Sequence, residues 1–190
     1  MAGKSKRQII LEAAARSFRD KGYQATSMRD LADAISLKAS SLYNHIGSKQ
    51  EILRDICFDN ANRFLSGMDD IDGQNIGPLE KIKALIELHI QVATEDITSV
   101  TAFNDEWRHL EDPDLSAFIQ LRRNYENRFK KILETGMQTG VLTPTDPTVA
   151  LYTLLSSVRW LYDWYKPERK PGLDLIREQI TSLLLKGLCQ

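Results

Sequence analysis

Hydrophobic residues recur three and four positions apart from one end of the chain to the other. No stretch alternates in the strand period, so the pattern predicts an all-α protein. Ile10, Ala13, Ala14 and Phe18 form the inward stripe of a first helix. Ser27 with Asp30 reads as a capping box, and Leu31, Ala32 and Ile35 carry a second helix near 27–34. Ser36, Leu37 and Lys38 make a tight turn, Ala39 to Ile46 a third helix, and Ser48 with Glu51 a further capping box. That box opens a connecting helix over 49–66, with Ile52, Leu53, Ile56, Phe64 and Leu65 as its apolar members. The Gly- and Asp-rich run 67–78 reads as a loop, and Pro78 as the first residue of a helix to about Thr94. A shorter helix covers about 99–110. Asp112-Pro113 and Asp146-Pro147 are N-cap and N1 pairs opening helices at 113–139 and 147–165. After 166–172 a last helix covers 173–188. The result is nine helices: a three-helix head over residues 1–48 and a six-helix body over 49–190.

With Leu42 inward, a rotation of about 100° per residue turns Ser40, Ser41, Tyr43 and Asn44 to the opposite face. Hydroxyl, amide and phenol groups together suit base edges and phosphates in a major groove. Lys38 and Lys49 flank that face, each at a helix N-terminus, where backbone N–H groups also favour phosphate. Helical hairpins occur without DNA too, so these residues alone leave a solvated hairpin open. Charge sharpens the picture. Residues 1–50 hold nine Lys/Arg against four Asp/Glu, an excess of +5; with a net charge of −1, the rest carries −6. A basic head on an acidic body suits a protein whose one end meets phosphate.

Residues 7–53 resemble the DNA-binding domain of the TetR family of bacterial transcriptional regulators. The resemblance lies in ILEAAARSFRDKGY in the first helix, ATS-x-RDLA opening the second, LYNHI in the third and GSKQEIL opening the fourth. It implies a helix-turn-helix DNA-binding domain followed by an all-helical ligand-binding and dimerisation domain. By matching position, Lys38, Ser41, Tyr43, Asn44 and His45 should face double-stranded operator DNA, with Ser40 beside them and Ser27, Arg29 and Lys49 on its phosphates. Ser36 and Lys38 stand where the family usually has Gly and Ser, and Ser40 where Gly or Pro is common. The turn thus loses a flexible residue and a good cap.

In the body, Leu151, Leu154, Leu155, Val158, Leu161, Tyr162 and Tyr165 broaden one apolar face. Leu173, Ile176, Ile180, Leu183 and Gly187 repeat at three and four, flanked by Leu184 and Leu188. Pattern alone leaves core and interface open. The resemblance implies a homodimer through residues 147–188. The stripe Leu79, Ile82, Ile86, His89, Ala93 holds one histidine, either a satisfied core residue or a ligand contact. The stripe Leu115, Phe118, Arg122, Tyr125, Phe129, Ile132, Gly136 puts an arginine on an inward line, where it needs Glu106, Glu126 or an anionic ligand. Phe103 and Trp107 with Leu110, and Tyr152 and Trp160 with Trp164, suit a pocket lining as well as a core. The segments FNDEWRHL, RRNYENRFKKIL and SVRWLYDWYKP are similar to TetR-like regulators that sense acyl-CoA thioesters or lipid and steroid catabolic intermediates. Arg122, Arg123 and Arg159 would then meet CoA phosphates or a carboxylate. A plain hydrophobic effector, as in drug-efflux regulators, competes.

Met1–Arg7 is polar with no signal-peptide run behind it, and no stretch approaches the roughly 20 apolar residues of a membrane span. Cys57 and Cys189 form no motif, which suits thiols in a reducing compartment; the reading is a soluble cytoplasmic protein with no membrane partner. Gly3-Lys4-Ser5 lacks the leading glycine of a phosphate loop, and His45, His89 and His109 have no metal-ligand spacing. No catalytic motif and no cofactor is read. The sequence therefore points to a dimeric ligand-released repressor with a small lipophilic, anionic effector. The alternatives are a drug-efflux regulator sensing neutral or cationic compounds, and a helical enzyme or binding module without DNA binding.

Overall fold

The structure is a computed structural model that describes residues 4–166, 168 and 171–189. All its regular elements among those residues are helical: α1 (Lys6–Lys21), α2 (Met28–Ala34), α3 (Ala39–Tyr43), α4 (Lys49–Asp72), α5 (Pro78–Glu95), α6 (Ile97–Glu106), α7 (Asp114–Gln138), α8 (Pro147–Arg159), α9 (Leu161–Trp164) and α10 (Leu173–Leu188), with a 3-10 turn over Trp107–His109. The all-α expectation holds. Met1–Gly3, and Pro167, Arg169 and Lys170 of the expected 166–172 linker, lie outside the described residues.

Three elements differ from expectation. The third helix closes its regular ladder at Tyr43 rather than Ile46, although the Ile46 N–H still reaches the Leu42 carbonyl at 3.1 Å. The connecting helix runs on to Asp72, through much of the expected loop. Gly67 is not a breaker there: a Cβ on it would come within 2.5 Å of the Leu88 side chain, so it serves a close helix–helix approach. Arg128 then pins the extension, with Nη1 2.6 Å from Asp69 and Nη2 2.7 Å from Asp72. The eighth helix breaks at Trp160. Its indole N–H donates at 2.8 Å to the Ser157 carbonyl, the acceptor a continuous helix would offer to the Leu161 N–H. The nine expected helices thus become ten segments among the described residues.

Compactness divides the chain into Met1–Asn62 with Asp96–Ile119, and Arg63–Glu95 with Gln120–Gln190. The reason is that α6 packs on α1 and so joins the head. In the first unit α1 also meets α2, and α2 meets α3, over a core of Ile10, Ala14, Phe18, Leu31, Leu42 and Ile46. In the second, α5 packs against α8, α9 and α10, and Ile82, Leu85, Ile90, Leu133 and Leu151 are buried.

The turn between α2 and α3 shows what its unusual residues do. Ser36 has φ 54°, a left-handed conformation that a side chain disfavours. Lys38 is the N-cap of α3 and makes no side-chain cap hydrogen bond. A left-handed residue bearing a Cβ costs roughly 1–2 kcal/mol, partly offset in glycine by its extra chain entropy of roughly 0.5–1 kcal/mol. Ser36→Gly should therefore stabilise the protein by about 0.5–1 kcal/mol, seen as a higher midpoint of urea unfolding.

Candidate DNA-binding surface and effector site

The helix-turn-helix is built from its caps inward. Ser27 Oγ accepts from the Asp30 N–H at 3.2 Å, and the Asp30 carboxylate accepts from the Ser27 N–H at 2.8 Å. The hydrogen bonds from Ser27 hold the Asp30 carboxyl below its ordinary range. Leu42 and Ile46 are fully buried and seat α3. Lys38, Ser40, Tyr43, Asn44 and His45 are exposed, Ser41 is half-buried, and Ser27 and Arg29 are exposed on the α2 side. Tyr43 is 53% exposed.

Lys49 has another occupation than the expected one. Its Nζ donates to the Tyr23 and Thr26 carbonyls, both at 2.8 Å, and stands 4.2 Å above the Tyr23 ring. Those carbonyls belong to the chain joining α1 to α2; the Tyr23 carbonyl also accepts from the Thr26 N–H at 3.2 Å, and the ammonium ties the two together. Tyr23 is buried, its hydroxyl pushed up to about 12 by that burial. It packs edge-on against Phe18 and stacks on His109 at 5.3 Å.

The expected effector residues fall into both compact units. In the first, buried Phe118 is met by Phe103 at 5.6 Å, Trp107 at 5.8 Å and Phe58 at 6.1 Å. In the second, His89 Nε2 lies 2.8 Å from the Tyr125 hydroxyl, with Phe64 stacked on the imidazole at 4.6 Å and Phe129 edge-on to Tyr125. Burial pushes the His89 imidazole down to about 4 and the Tyr125 phenol upward, so both are neutral near pH 7. Phe64 is the residue that periodicity did not single out: as one apolar member of a helix among several, it carries no signal until His89 is placed beside it.

Arg122 sits on a line whose Phe118, Tyr125 and Phe129 are buried, but its own side chain is not. Its side chain is 37% exposed and its Nη2 is 3.5 Å from Glu126, the i+4 partner, whose other oxygen accepts from the Tyr152 hydroxyl at 3.2 Å. The long arginine stem lets the charge reach water from a stripe position. Glu106 is engaged at 3.3 Å with His109. Arg159 donates to the Tyr162 hydroxyl at 2.6 Å, and Trp160 is exposed and edge-on to Trp164 at 5.3 Å. Among the described residues no group of side chains could hold a metal, and no helix is long and apolar enough to cross a membrane.

A capped helix-turn-helix with a polar, aromatic-bearing recognition face, followed by a wholly helical body, defines the class of ligand-domain helix-turn-helix regulators. The chain belongs to the TetR family. The family described as "Bacterial regulatory proteins, tetR family" matches residues 10–56, and "Tetracyclin repressor-like, C-terminal domain" matches 75–188. It is a family of transcriptional regulators, not of enzymes. The HTH-type transcriptional repressor KstR2 of Mycolicibacterium smegmatis is 26% identical over 188 residues, covering 98% of this chain and 92% of the relative. The fold matches that of the ketosteroid transcriptional regulator KstR2 of Mycobacterium tuberculosis, with TM-score 0.92 and 23% identity over 100% of this chain and 97% of that one. AibR, solved with isovaleryl coenzyme A and operator DNA, is 25% identical with TM-score 0.83, covering 95% of this chain and 98% of that one.

His89 carries a pH prediction. Above pH 6.5 it is neutral folded and unfolded; below, the unfolded imidazole takes a proton that the folded one refuses until about 4. Stability should fall as pH drops through this window, by up to about 1.4 kcal/mol per pH unit. His89→Gln should flatten that part of a thermal-midpoint-versus-pH curve.

Proposed function

We propose that this protein is a homodimeric, cytoplasmic repressor that binds operator DNA through α3 and leaves it on binding a small lipophilic, anionic effector of the acyl-CoA type. The observation that carries the DNA reading is the face of α3, where Lys38, Ser40, Ser41, Tyr43, Asn44 and His45 stand outward over buried Leu42 and Ile46. Ser27 and Arg29 serve its phosphates, while Lys49 contributes by closing the turn behind α3. Dimerisation runs through residues 147–188. Support comes from apolar side chains left open in the protomer: Val149, Tyr152 and Trp160 on and after α8, and Leu175 and Leu183 on α10, Leu183 at 71% exposure.

For the effector, the relatives supply the direction: AibR is described with isovaleryl coenzyme A, and KstR2 as a ketosteroid regulator. Within this chain, neutral His89 and Tyr125 among Phe64 and Phe129 suit an acyl or ring compartment with few polar groups. Arg122, Arg123 and Arg159 are the cations placed for phosphate or carboxylate. The Arg122–Glu126 pair favours a second reading, a neutral lipophilic effector, since that charge already has a carboxylate. Release requires the effector to bind the DNA-incompetent spacing of the two heads better than the competent one. Helix α4 is the natural lever: it carries Lys49, which closes the head's turn, and Phe64, which stacks on His89.

Tyr43→Ala should weaken operator binding while leaving helicity by circular dichroism unchanged; equal affinity would move the interface off α3. Operator release assayed against acyl-CoAs, free acids and neutral hydrophobic compounds tests the effector. Release by acyl-CoAs or acids is expected, and release by neutral compounds alone would defeat the anionic reading while leaving the regulator intact.

A further inference from the structure

The guanidinium of Arg7, near the start of α1, reaches three acceptors in the segment that leaves the recognition helix. Nη1 donates to the His45 carbonyl at 3.0 Å, Nη2 to Glu51 Oε1 at 2.7 Å, and Nε to Asp55 Oδ2 at 3.1 Å, with Nη2 also on Asp55. The second Glu51 oxygen accepts from the Gly47 N–H at 2.7 Å, and the Glu51 N–H donates to Ser48 Oγ at 3.0 Å. Residues 45–47 are therefore held by a carbonyl at one end and an N–H at the other, both tied to one ion-paired unit of α1 and α4.

This grip matters because α3 has little of its own. It spans five residues, its N-cap Lys38 makes no side-chain bond, and the turn before it holds a strained Ser36. Leu42 and Ile46 seat its buried face, and the Arg7 unit adds the polar anchors at its C-terminal end. From this geometry we infer that Arg7 is a positioning residue for DNA recognition, setting the orientation of α3 through the His45 carbonyl and Glu51 without itself touching DNA. The inference rests on the reading that α3 meets the operator. The planar fork spreads five donors over three nitrogens at fixed angles, whereas a lysine ammonium gathers three donors on one nitrogen at the end of a flexible stem.

The test uses the full-length protein, its R7Q and R7K variants, and a fluorescein-labelled duplex enriched by the wild type from a random pool. Binding to this duplex and to its scrambled counterpart is titrated over a range of KCl concentrations, at a temperature where circular dichroism shows the proteins folded. R7Q should bind the selected duplex roughly tenfold or more weakly, as loss of charge-assisted hydrogen bonds implies. Its selected-to-scrambled ratio should fall while the salt slope stays that of the wild type, which a purely stabilising residue would not produce. R7K should also bind weakly despite its charge, and it carries the test if R7Q does not fold. Wild-type affinity in R7Q, or full rescue by R7K, overturns the inference. A salt slope flattened by about one phosphate contact assigns Arg7 to the DNA itself and overturns it too. A wild type that enriches no duplex instead overturns the DNA-binding reading, and this inference with it.

Discussion

A five-residue helix closes too few hydrogen bonds to persist by itself, so the position of α3 is a tertiary property. Leu42 and Ile46 decide it, by leaving water entirely for the core formed with Ile10, Phe18 and Leu31. Everything proposed for this protein depends on that burial. It turns Ser40, Tyr43, Asn44 and His45 outward as one surface, which a free peptide of the same sequence would not hold. The capping box at Ser27, the Lys49 ammonium under the α1–α2 connection and the Arg7 fork around residues 45–47 serve the same end from three sides. Each bonds backbone groups at or between the helix ends.

The body is organised on the same principle with a different balance. There the large term is apolar burial around α5, into which one polar pair has been set. His89 and Tyr125 satisfy each other, and burial keeps both uncharged. A ligand group that takes the place of either partner must offer an equivalent hydrogen bond, because an imidazole left unpaired among Phe64 and Phe129 is costly. In the proposed effector site, such a pair would discriminate by what it refuses. Coupling to DNA then needs only that the ligand prefer one arrangement of the protein over another.

Much of this architecture was legible in the chain because caps and periodicity are local. The Ser27–Asp30 box, the Pro78 and Pro147 helix starts, the limits of α10 and the inward stripe of α1 required no knowledge of neighbours. The failures share one physical cause: a residue's role depended on what lay across from it. Gly67 reads as a helix end until Leu88 is seen to need its space. Trp160 reads as one more helical aromatic until its indole takes the Ser157 carbonyl, and the bonds of Lys49 to the Tyr23 and Thr26 carbonyls carry no sequence signal at all. For Arg122 the sequence leaves an ion pair with Glu126 and a ligand contact both open, and the structure shows the Glu126 pair at 3.5 Å.

The central claim is that the outward face of α3, with the start of α2, is where this protein meets DNA. Amide hydrogen exchange compares the free protein with the protein on a duplex it has selected, resolved to short peptides by mass spectrometry. With α3 on the duplex, new protection should concentrate in peptides spanning residues 27–29 and 38–45, with α5 and α10 little changed. Tight duplex binding with no added protection in those two stretches would contradict it.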